Sequence, residues 1–131
     1  IHLHNSKKII QKNTDIYIVN TFGEISLFLK NFKVVFVGGS IIKHGGQNPL
    51  EAARYGCKII HGPFIKNFSE VYQLLKELKI SKKIRNEKQF FSEVKKIFKN
   101  KFNQNKKIKK LKFLGHKVLK NNYNEILKFI K

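Results

Sequence analysis

The groups best suited to chemistry in this sequence are two glutamates and two glycine pairs. Glu24 follows Thr21 by three residues, and Glu51 follows Asn48 by three. Each pair fits a capping box, in which the first residue caps a helix and the glutamate reaches back to it. Pro49 is well placed to be a first helical residue. Gly38-Gly39 and Gly45-Gly46 lie between the two boxes, more glycine than a cap requires. A glycine pair just before a helix start lets backbone N–H groups approach an anion closely, and the helix dipole favours negative charge there. A phosphate over the helix that Asn48 begins, with a glutamate accepting from ribose hydroxyls, is nucleotide-binding geometry. The plainer alternative is that each glutamate serves only its own cap. The spacing is not that of a Walker loop, because Lys43 precedes the second glycine pair, and it is not G-x-G-x-x-G.

These loops need strands and helices to hold them. Residues 16–19 and 34–37 are short, apolar and β-branched, and read as buried strands, with residues 58–61 as a third. Ile25, Phe28, Leu29 and Phe32 recur at helical spacing, which predicts a helix of about two and a half turns. A short helix is expected over residues 49–55, stopped by Gly56, and another over 68–78. The order β-α-β-α-β-α with short connections implies an α/β fold with a parallel sheet and right-handed crossovers. Ligands of such sheets sit outside the carboxyl ends of the strands, and both capping boxes are expected at that one edge. Beyond Leu78 the pattern is helical. Helices are expected around residues 90–98, 108–119 and 126–130, with a short strand near 80–84 and a flexible turn over 100–110.

The chain has 131 residues and a net charge of +20. Residues 79–131 hold 18 lysines and arginines against 3 acidic residues, while residues 1–78 hold 10 against 5. The division is a core motif region over 16–78 and a basic helical tail over 79–131. Such a tail favours polyanions, either nucleic acid or an anionic membrane face. Phenylalanines interleave with its lysines and could stack on bases, but they also fit helical core spacing. The chain contains no methionine and begins at Ile1, so we expect a processed chain or a piece of a longer one. No apolar run is long enough for a transmembrane helix.

Other side chains carry plainer expectations. Cys57 reads as a small apolar residue entering a strand. His2 and His4 are read as a ragged terminus and not as metal ligands, because no third ligand stands close in sequence. His44, Lys43 and His61 are candidates to touch a phosphate. Tyr17 and the phenylalanines are expected in the core.

Residues 20–72 resemble the C-terminal part of the 3-deoxy-D-manno-octulosonic acid (Kdo) transferases. The family pattern runs D-T-x-G-E-L, F-V-G-G-S, G-G-H-N-x-L-E and G-P-x-x-x-N-F. Here it reads "NTFGEI", "FVGGS", "GGQNPLE" and "GPFIKNF", in the same order. Asn20 replaces the family aspartate, and Gln47 replaces a histidine, so that position can hydrogen-bond but cannot carry a proton. The resemblance implies the later half of the C-terminal, Rossmann-like domain of a two-domain (GT-B) glycosyltransferase that moves Kdo from CMP-Kdo to a lipid A precursor in lipopolysaccharide assembly. It implies that Phe22, Gly23, Glu24, Asn48, Pro49, Leu50 and Glu51 contact CMP. Glu51 would serve the ribose hydroxyls, and the turn of Gly46, Gln47 and Asn48 the phosphate, with His44 and Gly45 beside it. The family's catalytic carboxylate and acceptor site belong to an N-terminal domain, so this chain alone is expected to be inactive. No metal or cofactor is implied. The implied location is peripheral, on the cytoplasmic face of an inner membrane, with the basic tail toward anionic lipid. Two other classes remain: a basic polyanion-binding protein, and a GT-B enzyme using another sugar nucleotide.

Overall fold

The run Val34–Val37 forms a strand because each of its residues is apolar and three of the four are valine, a stiff β-branched side chain. It pairs in parallel with Lys58–His61, with Val34 opposite Lys58 and Val37 opposite His61. Lys58–His61 in turn pairs in parallel with Ser81–Lys83. The computed structural model describes residues 1–100 and 103–130. In chain order its elements are β1 (His2–Leu3), β2 (Tyr17–Ile18), α1 (Ile25–Leu29), β3 (Val34–Val37), α2 (Leu50–Arg54), β4 (Lys58–His61), α3 (Ser69–Glu77), β5 (Ser81–Lys83), α4 (Glu87–Lys99) and α5 (Asn105–Ile130). The fold is α/β with parallel strands, as the element order predicted.

Strand β4 lies in the middle of the sheet β3-β4-β5, and its alternation assigns the two faces. Ile59 joins Leu29, Ala52, Ala53, Cys57, Tyr72, Leu75, Ile80 and Leu111 in the larger core cluster. Ile60 points the other way and packs with Ile84 and Ile97 under α4. A central strand covered on both faces must be apolar on both, which is why this strand does not alternate with polar residues. Each fully buried Ile or Leu contributes about 1.5–3 kcal/mol. The chain enters α4 through Asn86, whose side chain accepts from the Gln89 N–H at 3.0 Å, while Gln89 Oε1 accepts from the Arg85 N–H at 2.8 Å. Helix α5 is tied down at its start. Gln104 Nε2 donates to the Gly56 carbonyl at 2.9 Å, and Leu111 is buried in the larger cluster.

Several expectations are corrected. Strand β2 belongs to a separate two-stranded parallel sheet with β1, so residues 2–3 are a strand and the two capping boxes do not share one sheet edge. Ile16, Ile18 and Val19 are exposed, because among the described residues only the Tyr17 side of β2 is covered, by His2, His4 and Phe28. Helix α1 spans only five residues, which leaves Phe32 exposed. Phenylalanine is not the core residue it resembled: Phe22, Phe32, Phe36, Phe91, Phe98, Phe113 and Phe129 are all exposed. The helical spacing of the tail was right, but its last two helices are one 26-residue helix, since nothing between residues 119 and 126 breaks it. Part of the expected turn over 100–110 is therefore helical from Asn105, and residues 101 and 102 of it lie outside the described residues.

Candidate functional site

Three of the four motifs interlock at the carboxyl ends of β3 and β4. Ser40 ends a 3₁₀ turn over Gly38–Ser40 and is fully buried. Its Oγ accepts the Gly62 N–H at 2.7 Å, and its carbonyl accepts the Phe64 N–H at 2.9 Å. The Gly45 carbonyl accepts the Asn67 N–H at 3.1 Å. Tyr72, from α3, donates its hydroxyl to the Gln47 carbonyl at 3.1 Å. The loop after β3 and the loop after β4 are thus one hydrogen-bonded unit.

The second glycine pair is needed for that unit. Gly45 and Gly46 have φ of +91° and +83°, where a Cβ is strained. A Cβ on Gly46 would also sit 3.1 Å from the Phe64 carbonyl oxygen and 3.2 Å from Ile65 Cα, while one on Gly45 would strike the Asn67 side chain. Backbone conformation and close packing therefore demand both glycines, in addition to any role toward an anion.

Between the two loops lies a cleft of about 470 Å³ lined by Lys43, His44, Gly45, Pro63, Phe64, Ile65, Lys66 and Asn67. Its lining carries two lysines and a histidine but no carboxylate, so it suits an anion. Of the residues expected to meet a phosphate, Lys43, His44 and Gly45 line this cleft. Gly46 is buried behind it and Gln47 is exposed beside it. Asn48 accepts the Leu50 N–H at 3.0 Å, an Asx turn that leads into α2, but the cap position itself falls on Pro49 and not on Asn48, so Pro49 is not the first helical residue as expected. Pro49 is buried and Leu50 partly buried, whereas Glu51 is exposed and free of the reciprocal bond of a capping box among the described residues. Helix α2 has only five residues, so the positive charge here comes from lysine side chains more than from a helix dipole.

The first box is built differently from its expectation. Gly23 has φ +83°, which keeps the chain out of a helix until Glu24. Thr21 therefore does not cap α1; its hydroxyl donates instead to Glu24 Oε2. The same carboxylate oxygen lies 3.1 Å from His4 Nε2, and His4 Nδ1 is 2.6 Å from the Tyr17 hydroxyl. The terminus expected to be ragged is thus folded against Glu24. Phe22 is fully exposed. Among the described residues no hydrogen bond or ion pair joins Phe22, Gly23 or Glu24 to Asn48, Leu50 or Glu51.

Burial decides the protonation of the groups under the cleft. Cys57 is buried, and desolvation pushes its thiol up from the ordinary value, as suits a packing residue. Tyr72 is pushed up to about 12 by burial, which keeps its hydroxyl a donor. His61 was expected to face the cleft. It is 4% exposed, its ring is tilted against that of Tyr72 with centroids 4.4 Å apart, and its Nδ1 lies 2.7 Å from the Gly62 carbonyl. Burial is the larger influence on its pKa and lowers it from 6.5; the Gly62 carbonyl opposes this. The unfolded chain therefore takes up a proton that the folded chain refuses. This contribution to stability is complete above 6.5 and is lost as pH falls through that value toward the folded one. Urea midpoints are expected to drop between about pH 7.5 and about pH 5.5, and His61→Gln should flatten that part of the slope.

Two contributors went unrecognised in the sequence. Lys66 sits inside "GPFIKNF" and could have been suspected from the proximity of that motif to a strand end. The pairing of His4 with Glu24 had no local signal, because the residues are twenty apart and meet only through β1 and β2. Among the described residues no group of three or more His, Cys, Asp or Glu side chains could hold a metal ion.

No family model matches the chain. It is 34% identical over 74 residues to a 3-deoxy-D-manno-octulosonic acid transferase of Haemophilus influenzae, covering 56% of this chain and 17% of that protein. To the protein of the same name from Rickettsia prowazekii it is 32% identical over 115 residues, covering 88% of this chain and 24% of the relative. To that of Rickettsia typhi it is 46% identical over 57 residues, which is 44% of this chain and 12% of the relative. The chain thus spans under a quarter of the length of these relatives, as a C-terminal piece of that family would.

Proposed function

We propose that this chain, which resembles Kdo transferases over most of its own length, is the CMP-binding part of a glycosyltransferase that carries Kdo from CMP-Kdo to a lipid A precursor in lipopolysaccharide synthesis. The observation that carries the proposal is the interlocked pair of loops around a cleft whose charged lining residues are all basic. A donor phosphate placed there would meet Lys43, His44 and Lys66, and the neighbouring turn would offer its amides. Glu51, one turn into α2 and exposed, is the candidate for the ribose hydroxyls. Phe22, Gly23 and Glu24 would close on the nucleotide from the loop after β2.

In the reaction proposed for the whole enzyme, a base in the part absent here takes the proton of an acceptor hydroxyl. The hydroxyl oxygen bonds to the anomeric carbon of Kdo, and the bond from that carbon to the CMP phosphate oxygen breaks. CMP leaves with the electron pair, and the cations of the cleft neutralise the charge gathering on its phosphate. This chain supplies donor binding and charge stabilisation but no base, so it is inactive alone. Its place is peripheral, on the cytoplasmic face of the inner membrane; among the described residues no helix is long and apolar enough to cross a membrane.

An amide NMR titration with CMP, UMP and a short RNA tests the proposal. CMP is expected to shift Gly23, Gly46 and Glu51, and Glu51→Ala should weaken CMP binding about tenfold or more by removing a charge-assisted hydrogen bond. Equal competition by UMP would point to a different sugar nucleotide. Shifts by RNA alone, confined to residues beyond 78, would replace this reading with polyanion binding.

A further inference from the structure

His4 takes no part in the reaction proposed above, yet both of its ring nitrogens are engaged. Its backbone is fixed by the β1–β2 pairing, where its N–H donates to the Ile18 carbonyl at 2.8 Å. Its ring sits edge-on to Phe28, with centroids 5.4 Å apart, and to Tyr17, with centroids 5.7 Å apart. Nδ1 lies 2.6 Å from the Tyr17 hydroxyl, and Nε2 lies 3.1 Å from Glu24 Oε2. A carboxylate can only accept, so Nε2 carries a hydrogen and donates it to Glu24. In the neutral ring Nδ1 then accepts from the Tyr17 hydroxyl, and that bond selects the tautomer which serves Glu24.

Glu24 itself is used unevenly. Its Oε2 takes both donors, the Thr21 hydroxyl and His4 Nε2. Its Oε1 has no partner among the described residues, and the side chain is 39% exposed. Bonds from two sides to one oxygen fix the carboxylate and leave the other oxygen as an open acceptor. The chain leading into this loop is clamped as well. Asn20 Oδ1 accepts the Asn5 N–H at 3.3 Å, and Asn20 Nδ2 donates to Asn5 Oδ1 at 2.9 Å. An unrestrained glutamate loses rotamer freedom when a ligand binds it, whereas this one has lost that freedom on folding.

We infer that His4 is a positioning residue: it holds the Glu24 carboxylate so that Oε1 meets a hydroxyl or amine of the bound nucleotide, without touching the nucleotide itself. The inference rests on the reading of this chain as a CMP-binding part, and it gives the β1 segment a role in that site.

Substitutions at position 4 separate positioning from packing. His4→Phe keeps a ring against Tyr17 and Phe28 but has no donor. His4→Gln loses the ring but offers an amide N–H in place of Nε2–H. In amide NMR titrations of the full chain, His4→Phe is expected to weaken CMP binding about fivefold, and His4→Gln to keep most of the affinity. A merely structural role gives the opposite order. In a Glu24→Gln background, His4→Phe should have no further effect, because its route to the ligand is gone. Imidazole nitrogen NMR shifts of the unliganded chain should show a proton on His4 Nε2, a readout that needs no nucleotide. CMP affinity unchanged in His4→Phe, the same loss in the Glu24→Gln background, or a proton on Nδ1 alone would each overturn the inference while CMP binding stands. No CMP response in the unsubstituted chain, with the proton on Nε2 as expected, would overturn the CMP reading and with it the role of His4 toward a nucleotide.

Discussion

Gly62→Ala is expected to lower the stability of this chain by about 3 kcal/mol, although it adds a single methyl group. Gly62 follows β4 immediately, and its N–H is the donor to Ser40 Oγ. A Cβ there would press on the Ser40 carbonyl oxygen, with Ser40 C at 2.8 Å and Ile41 Cα at 3.0 Å. All three are backbone atoms, so none can swing aside as a long side chain would. Either the β3 loop moves away and the two hydrogen bonds of Ser40 to the β4 loop lengthen, or the contact stays compressed. Gly38→Ala is the control, because nothing lies within 4 Å of its Cβ position, and its effect should stay within about 0.5 kcal/mol. Urea unfolding of the two variants measures the difference. The Gly62 variant should also lose CMP response while still partly folded, since the cleft is formed by the loops it drives apart. Equal midpoints for the two variants would mean that the loops are not joined as described.

Tyr72 separates packing from positioning. Tyr72→Ala should cost about 4 kcal/mol, because it empties a site that is 2% exposed among Leu75, Ile59 and His61. Tyr72→Phe removes only the hydroxyl and should cost about 1 kcal/mol, since the Gln47 carbonyl it releases can reach water. The phenylalanine variant carries the functional consequence. It frees the turn through Gly45, Gly46 and Gln47, so amide exchange there should quicken while β4 stays protected, and CMP affinity should fall with little loss of fold. Unchanged exchange at Gly46 in Tyr72→Phe would show that the hydroxyl does not hold the turn. Because burial raises the hydroxyl to about 12, this effect should not vary with pH across the neutral range.

Both predictions depend on contacts between residues far apart in sequence, and that is where reading the sequence stopped. The strands Val34–Val37 and Lys58–His61, the helix after Asn48 and the helix of residues 69–77 were legible because their signals are local: β-branched apolar runs, an Asn-Pro start, and leucines at helical spacing. The four ordered motifs likewise identified which loops to inspect, and the likeness to Kdo transferases agrees with them. The phenylalanines misled because aromatic residues at helical spacing show that a helix has an apolar stripe, not that anything covers it. Phe91 and Phe98 keep the spacing and lie exposed.

The sequence by itself determined the element types, the parallel α/β class and the concentration of positive charge beyond residue 78, since propensity, periodicity and composition act within a few residues. Only the tertiary structure decided that Ser40, Gly45 and Gln47 are bonded to the Gly62, Asn67 and Tyr72 side of one cleft, and that His4 meets Glu24. It also decided that His61 is buried while His44 is open, and that the apolar stripe of α5 outruns the body it packs on. Burial and pairing depend on what arrives from elsewhere in the chain, and local pattern carries no record of it.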